Sequence, residues 1–308
     1  MPTNTHLKIK PEVAAALHKG APVVALESTV ISHGLPYPQN LGLAQDMEAA
    51  IRQENATPAT CAVIEGEVKV GLNEDELTLL ASTEHLRKIS VRDFAPAIAQ
   101  KASGGTTVAG TLIASEQAGI RIFATGGIGG VHRDTPFDVS TDLNQLAASK
   151  VVVVCAGAKA ILDLPATIEK LETLGVPVIG YQTDEFPAFY SRTSGLPVSA
   201  STDSAEDTAA IAKAHWEMGQ GGLLVVAPVP EADAIPAEDI EAHIERALAE
   251  AAAQNIRGQA VTPFLLSRVS QLSEGASLAA NLSLLKHNAE VAAEIAQYLY
   301  TPKGSRLA

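Results

Sequence analysis

The sequence predicts an α/β fold in one domain spanning residues 1–308: a mainly parallel sheet covered by helices on both faces, with a helical C-terminal layer. Three observations predict it. Short Val/Ile-rich runs recur without polar alternation, which marks strands buried on both faces. Longer segments of helical period separate many of these runs, as parallel neighbours require. From Ala237 onward the pattern is helical almost throughout.

In chain order, strands are expected in PVVALES (22–28), TCAVIEG (60–66), IRIFATG (120–126), VVVVCAG (151–157), PVIGYQ (177–182) and GLLVVAP (222–228). The amphipathic segments between them are PQNLGLAQDMEAAIRQE (38–54), GTTVAGTLIASEQAG (105–119), DLPATIEKLETLG (163–175) and TDSAEDTAAIAKAHWEMG (202–219). The C-terminal helices are AEDIEAHIERALAEAAAQ (237–254) and SLAANLSLLKHNAEVAAEIAQYL (277–299). No Pro-, Gly- or Ser-rich linker and no internal repeat divides the chain.

Bulk properties narrow the function. With 46% hydrophobic residues, the chain has ample material for a core. A net charge of −13 opposes sequence-blind binding to nucleic acid or anionic membrane, while leaving room for a small phosphorylated ligand in a locally positive pocket. Cys61 and Cys155 sit in apolar runs and read as buried free thiols. The opening MPTNTHLKIKPEV lacks a signal pattern, and no run approaches the ~18 apolar residues of a membrane span. A cytoplasmic protein is expected.

Ligands of such sheets sit beyond the carboxyl ends of the strands, so the residues that follow each apolar run carry the information. The first run leads into LESTVISHGLPYPQN, the third into TGGIGGVHRDTPFDVSTDL and the fourth into AGAK. None is a nucleotide signature. GGIGG lacks the third glycine of the dinucleotide fingerprint, and AGAK lacks the Gly and Ser/Thr that flank a P-loop lysine. These stretches read as tight turns whose backbone can approach an anion or sugar closely.

Lys159 is the anomaly: an ammonium group at the mouth of a buried strand. It either snorkels to solvent or a carboxylate, or it is a nucleophile. Desolvation and a helix N-terminus at that point would lower its pKa from about 10.4 toward the neutral amine that a Schiff base needs. Glu27 ends its strand in the same way. It is either solvated at the rim or partly buried and raised in pKa, fit to be a general acid.

In HRDTPFDVSTDL, the residues His132, Asp134, Asp138 and Asp142 offer hard donors suited to Mg²⁺ or Mn²⁺, although Asp142 can equally cap the following helix. GGTTVAGT puts Thr106, Thr107 and Val108 at a helix start, either as a phosphate seat or as plain caps. Lys88 can add a point charge to that phosphate or lie on the surface. Arg92 and Asp93 can form a local ion pair.

Together, ALESTVISHGLPYPQN, GGTTVAGT, FATGGIGGVHR, FDVSTDL, VVVVCAGAKAILDLPATIEKLETLGVPVIGYQTDEFPAF and TPFLL resemble the pseudouridine-5′-phosphate glycosidase family, also called indigoidine synthase A-like. The likeness runs from about Pro22 to the C-terminal helices. It implies a three-layer α/β/α sandwich around a mainly parallel or mixed sheet, assembled as a homotrimer. It also implies cleavage of the C–C bond between uracil C5 and ribose C1′, giving uracil and ribose 5-phosphate, by an enzyme of the carbon–oxygen lyase (hydro-lyase) class. By the same resemblance Lys159 is the nucleophile, Glu27 the proton donor and Asp138 the ligand of Mn²⁺ or another divalent ion, with no organic cofactor. Lys88, Val108, Ser140, Thr141 and Asp142 would contact substrate. Asn281 and His132 are candidates for the uracil ring.

A C–C glycoside has no leaving heteroatom to protonate, so a carboxylate pair alone is inadequate and covalent catalysis is required. The chief rival is an aldolase-like Schiff-base lyase acting on a phosphosugar without a nucleobase. A sugar or nucleoside kinase fits the layering, but no ATP loop is recognisable, and a non-catalytic ligand-binding protein would be excluded by a Lys159→Ala change that abolishes turnover while sparing ligand binding.

Overall fold

The apolar runs form the centre of the sheet. In the computed structural model, residues 5–133, 135–256 and 261–300 are described. The strands are β1 (Leu7–Ile9), β2 (Val23–Leu26), β3 (Thr57–Ile64), β4 (Glu67–Val70), β5 (Arg87–Ile89), β6 (Gly104–Thr106) and β7 (Ile122–Ala124). They continue as β8 (Val131–His132), β9 (Thr135–Val139), β10 (Val152–Cys155), β11 (Leu162–Asp163), β12 (Val178–Tyr181), β13 (Ala200–Thr202) and β14 (Leu223–Val226).

The helices are α1 (Pro11–Lys19), α2 (Gln39–Gln53), α3 (Glu74–Ser82), α4 (Phe94–Ala99), α5 (Val108–Ala118) and α6 (Thr141–Ala148). Then follow α7 (Leu164–Thr173), α8 (Ala205–Glu217), α9 (Ala237–Ala253), α10 (Val261–Leu272) and α11 (Ala276–Leu299).

The main sheet runs β1-β4-β3-β2-β7-β10-β14-β12-β13, with β6 on β3 and β5 on β6. From β3 through β13 every neighbour on this path is parallel, whereas β3 pairs antiparallel with β4 and β6. The sheet is therefore mixed. All six predicted runs are strands, and β2, β10, β12 and β14 are buried at every position. The remaining strands escaped sequence reasoning because they are short and polar: β5 is Arg-Lys-Ile and β6 is Gly-Gly-Thr.

Helices cover both faces, giving the expected three layers. Along α11, Ala280, Leu284, Asn288, Ala292 and Ile295 return every three or four residues and are buried, so one stripe of that helix faces the core. It packs on β2, β7 and β10 and against α2 and α8, while α5 and α6 pack together. Capping follows residue chemistry: Thr107 opens α5, Ser140 opens α6 and Asp163 opens α7, each accepting a backbone N–H. A second, three-stranded antiparallel sheet, β11-β8-β9, stands beyond the ends of the central strands.

Candidate active site

Three adjacent parallel strands, β2, β7 and β10, end side by side, with Ala124 in register with both Leu26 and Val154. Each hands one functional group to the space above. Glu27 follows β2, Thr125 follows β7, and Lys159 lies four residues past β10.

Glu27 is 7% exposed, and its two oxygens accept hydrogen bonds from the hydroxyls of Thr125 and Thr29. A hydroxyl both donates and accepts, so this cradle suits the carboxylate and the carboxylic acid alike. The chain then enters one turn of π-helix, Val30–Gly34, a form frequent at functional sites. Within it His33 places Nε2 3.1 Å from the Leu86 carbonyl and Nδ1 2.7 Å from the Ser32 hydroxyl. Burial pushes the His33 imidazole below its usual range, against the opposing pull of the Leu86 carbonyl.

Lys159 does not stand at a helix start. The next helix, α7, begins at Leu164, so the expected help from a helix N-terminus is absent. Instead Lys159 sits in a turn fixed by backbone bonds, its N–H donating to Ile128 O at 3.1 Å and its carbonyl accepting from Leu162 N at 3.0 Å. Arg133 braces the same turn, donating to Ala160 O at 3.0 Å and Leu162 O at 3.3 Å while paired with Glu241.

Lys159, Glu27, Lys88 and Thr29 line two chambers at once and so mark their junction. The inner chamber is walled by Val30, Phe189, Leu266 and Leu285, with Asn281 and His33 as polar points. The outer chamber presents Ser90, Arg92, Thr107, Val108, Ser140 and Thr141, with Asp138 and His132 at its wall. The inner space suits a flat ring and the outer a sugar phosphate. Burial pushes the Lys88 ammonium below the ordinary lysine value and the charge of Lys159 acts in the same direction, with Asp142 and Glu27 pulling back. Among the described residues, neither lysine makes an ion pair. Two ammonium groups facing one junction favour an anionic ligand.

Several expectations are corrected here. Thr106 is fully buried, and its hydroxyl is spent on Cys61 O and the Thr111 hydroxyl, so it does not reach the ligand space. The start of α5 is largely self-satisfied, with Gly110 N donating to Thr107 Oγ1 and Ala109 N to Asp142 Oδ1. Ser140, not Asp142, caps α6. Asp142 accepts from Ala109 N and Gly129 N, both at 2.9 Å, and thereby ties the glycine loop to α5. Asp93 accepts from Ser90 N instead of pairing with Arg92, which lines the outer chamber. His132 lies on the outer side, which leaves Asn281 as the ring candidate.

The glycines of GGIGG make room for protein as well as for ligand. A Cβ on Gly127 would come within 2.6 Å of the Phe189 ring, and one on Gly129 within 2.3 Å of Ser140 Oγ. Phe189 itself has φ 63°, a left-handed backbone that costs about 1–2 kcal/mol in a non-glycine residue and here sets an aromatic wall.

The proposed metal set is not a closed centre. Among the described residues no three His, Cys, Asp or Glu converge, Asp134 lies outside them, and both Asp142 oxygens are engaged. Exposed Asp138 with nearby hydroxyls fits only a hard cation that keeps most of its waters.

The family described as indigoidine synthase A like protein matches residues 12–298. The chain belongs to the indigoidine synthase A-like family. Relatives in Nocardioides sp. and Caldanaerobacter subterraneus named pseudouridine-5′-phosphate glycosidase are 52% and 50% identical, covering 94% and 96% of this chain and 96% and 97% of their own. The prealnumycin C-glycosynthase AlnA, solved in complex with ribulose 5-phosphate, superposes with a TM-score of 0.89 at 41% identity over 96% of this chain and 98% of its own. An indigoidine synthase A-like protein of Thermotoga maritima gives 0.88 at 36% identity, over 96% and 97%.

Sequence reasoning missed Thr29, Thr125, Arg92, Phe189, Leu266 and Leu285 as members of this indigoidine synthase A-like cleft. Thr29 and Thr125 carried a signal, a hydroxyl at the rim next to an expected acid. The aromatic and leucine walls carried none beyond ordinary core character.

Proposed function

We propose that this chain cleaves the C–C glycosidic bond of pseudouridine 5′-phosphate to uracil and ribose 5-phosphate, with Lys159 as nucleophile and Glu27 as proton donor. The observation that carries the reading is the junction itself. A half-buried lysine with no ion-pair partner among the described residues and a hydroxyl-cradled buried glutamate follow strands β10 and β2, on either side of β7, between an apolar chamber and a polar one. The relatives' names, at about half identity over nearly the whole chain, support the substrate.

With the phosphate in the outer chamber near Lys88, Ser140 and Thr141, ribose C1′ falls at the junction and uracil in the inner chamber beside Asn281. Glu27 gives a proton to the ring oxygen as the C1′–O bond breaks, driven by electrons from uracil N1 through C6 and C5. The Lys159 amine adds to C1′ as the electrons return to uracil N1, and it gives a proton to the Glu27 carboxylate. Glu27 passes that proton to uracil C5, the C1′–C5 electrons leave with uracil, and the lysine nitrogen forms an iminium with C1′. Water hydrolyses that iminium, freeing ribose 5-phosphate and the lysine. Covalent catalysis divides one prohibitive barrier into several lower ones. In the synthetic sense the reaction joins uracil to ribose 5-phosphate with loss of water, which is the hydro-lyase direction.

A divalent ion such as Mn²⁺, held through water by Asp138, would offset phosphate charge. Assembly as a homotrimer is proposed on the resemblance alone.

Ribose 5-phosphate plus borohydride, followed by peptide mapping, tests the mechanism. Labelling at Lys159, and a Lys159→Ala protein that binds ligand without turning it over, are expected. Labelling at another lysine would overturn the assignment, and failure to release uracil would favour a phosphosugar lyase.

A further inference from the structure

The inner chamber does not end at a uracil-sized space. Behind it opens a third cavity, and the two share Gly34, Leu266 and Asn281 in their walls. The outer chamber borders none of these three residues and meets the inner one only at Glu27, Thr29, Lys88 and Lys159. The spaces therefore lie in series: phosphate end, reacting carbon, ring chamber, annex. Gly34 at the threshold needs no left-handed backbone, and a Cβ there would meet nothing closer than Val30 at 3.4 Å. What its missing side chain leaves is passage.

The annex has its own chemistry. Ser267, Ser270 and Gln271 from α10, Gln39 from α2 and Tyr190 offer hydroxyls and amides, and among the described residues no charged side chain lines it. Burial raises the Tyr190 phenol above its usual value, against the opposing pull of a hydrogen bond with Ser277, so it stays neutral in the annex wall. A cavity of this kind takes an uncharged group with both apolar surface and hydrogen-bonding edges.

We propose that the annex is an aglycone-extension subsite, so that the cleft takes C-ribosyl 5-phosphates whose aglycone reaches beyond one pyrimidine ring, on the edge away from the glycosidic carbon. This rests on the reaction proposed above. In uracil that far edge is N1, C2 and N3, because C5 bears the sugar. A substituent on N3 leaves the atoms that change bonding untouched, and one on N1 keeps the lone pair that drives ring opening.

The test runs the synthetic direction with ribose 5-phosphate and three acceptors: uracil, 1-benzyluracil and 3-benzyluracil. Wild-type protein is expected to join uracil and at least one benzyluracil to the sugar, with kcat/KM values within about tenfold of each other. Ser270→Phe fills the annex from a residue that touches neither the ring chamber nor the junction. It should lower benzyluracil kcat/KM at least about 30-fold while leaving uracil within about threefold. Ser267→Tyr repeats the test from the annex mouth should Ser270→Phe fail to fold. Uracil turned over with neither benzyluracil accepted would overturn the subsite, as would a filled annex that leaves benzyluracil turnover intact. No turnover of uracil itself would instead sink the proposed function.

Discussion

Glu27 owes its place to two hydroxyls, one on each oxygen, and that makes Thr125 the sharpest single-residue test. Thr125→Val keeps shape and strand propensity but leaves one buried oxygen without its donor. A hydrogen bond to a charged or proton-transferring group is worth about 2 kcal/mol, so kcat should fall about 30-fold. KM should hardly move, because Thr125 does not line the outer chamber, where the phosphate is proposed to sit. An unchanged kcat would remove Thr125 from the machinery. Lys88 gives a second test, through pH. Its ammonium titrates below an ordinary lysine because it is buried and faces Lys159. It is charged below that lowered value and loses its charge as pH climbs through it, so phosphate affinity falls with rising pH. The KM for ribose 5-phosphate should begin to rise at a lower pH than ordinary lysine titration predicts, and Lys88→Arg should flatten the rise. A wild-type KM that stays flat to pH 10 would contradict this. At this scale the sequence was readable where a residue violated its surroundings. Lys159 and Glu27 stood out as charges closing apolar runs. Thr125 did not, since a threonine at a strand end breaks no rule. Asp142 misled, because a carboxylate near a helix start reads as a cap and only the fold reveals two distant backbone N–H groups converging on it.

The three-stranded sheet β11-β8-β9 couples the two ends of the cleft. Leu162 and Asp163, just past Lys159, pair with His132 and Val131, and β9 on the other side carries Asp138. Arg133 adds a clamp of one guanidinium across two carbonyls of the Lys159 turn and the Glu241 carboxylate on α9. Arg133→Ala should slow borohydride trapping of ribose 5-phosphate about tenfold through a misplaced Lys159, with a smaller change in KM. Arg133→Lys should not restore the rate, because a point charge cannot replace a planar fork. Equal trapping rates in Arg133→Ala and wild type would reduce the clamp to a structural brace. None of these strands was legible. Two-residue strands have no period to detect, and their pairing is decided by distant partners. The central strands were legible because burial on both faces writes continuous Val and Ile. The major helices were legible because one stripe must face the sheet. α10 lies in a C-terminal stretch whose pattern is helical almost throughout, so nothing in the sequence singles out Leu266 or the annex behind it.

On the scale of the whole molecule, the chain carries a net charge of −13 yet is expected to gather a phosphate ester. The overall sign was plain from composition, but where Lys88, Arg92 and Lys159 gather was not, because they sit 67 residues apart or more in the case of Lys159 and come together only through the order β2-β7-β10 and the β5-β6 edge. Distance separates the two effects. The repulsion is spread over the whole surface and acts at long range, whereas the lysines act at contact and are partly shielded from solvent. The Debye length is about 30 Å at 0.01 M salt and about 10 Å at 0.1 M, so added salt screens the diffuse repulsion first. For pseudouridine 5′-phosphate, kcat/KM should therefore rise about two- to fivefold between those salt concentrations, as the approach of the anion becomes less hindered. Pseudouridine without its phosphate, assayed alongside, should show no such rise. A steady fall of kcat/KM with salt over the same range would mean that the cationic junction dominates the field even at a distance, and that the acidic surface has no bearing on how substrate arrives.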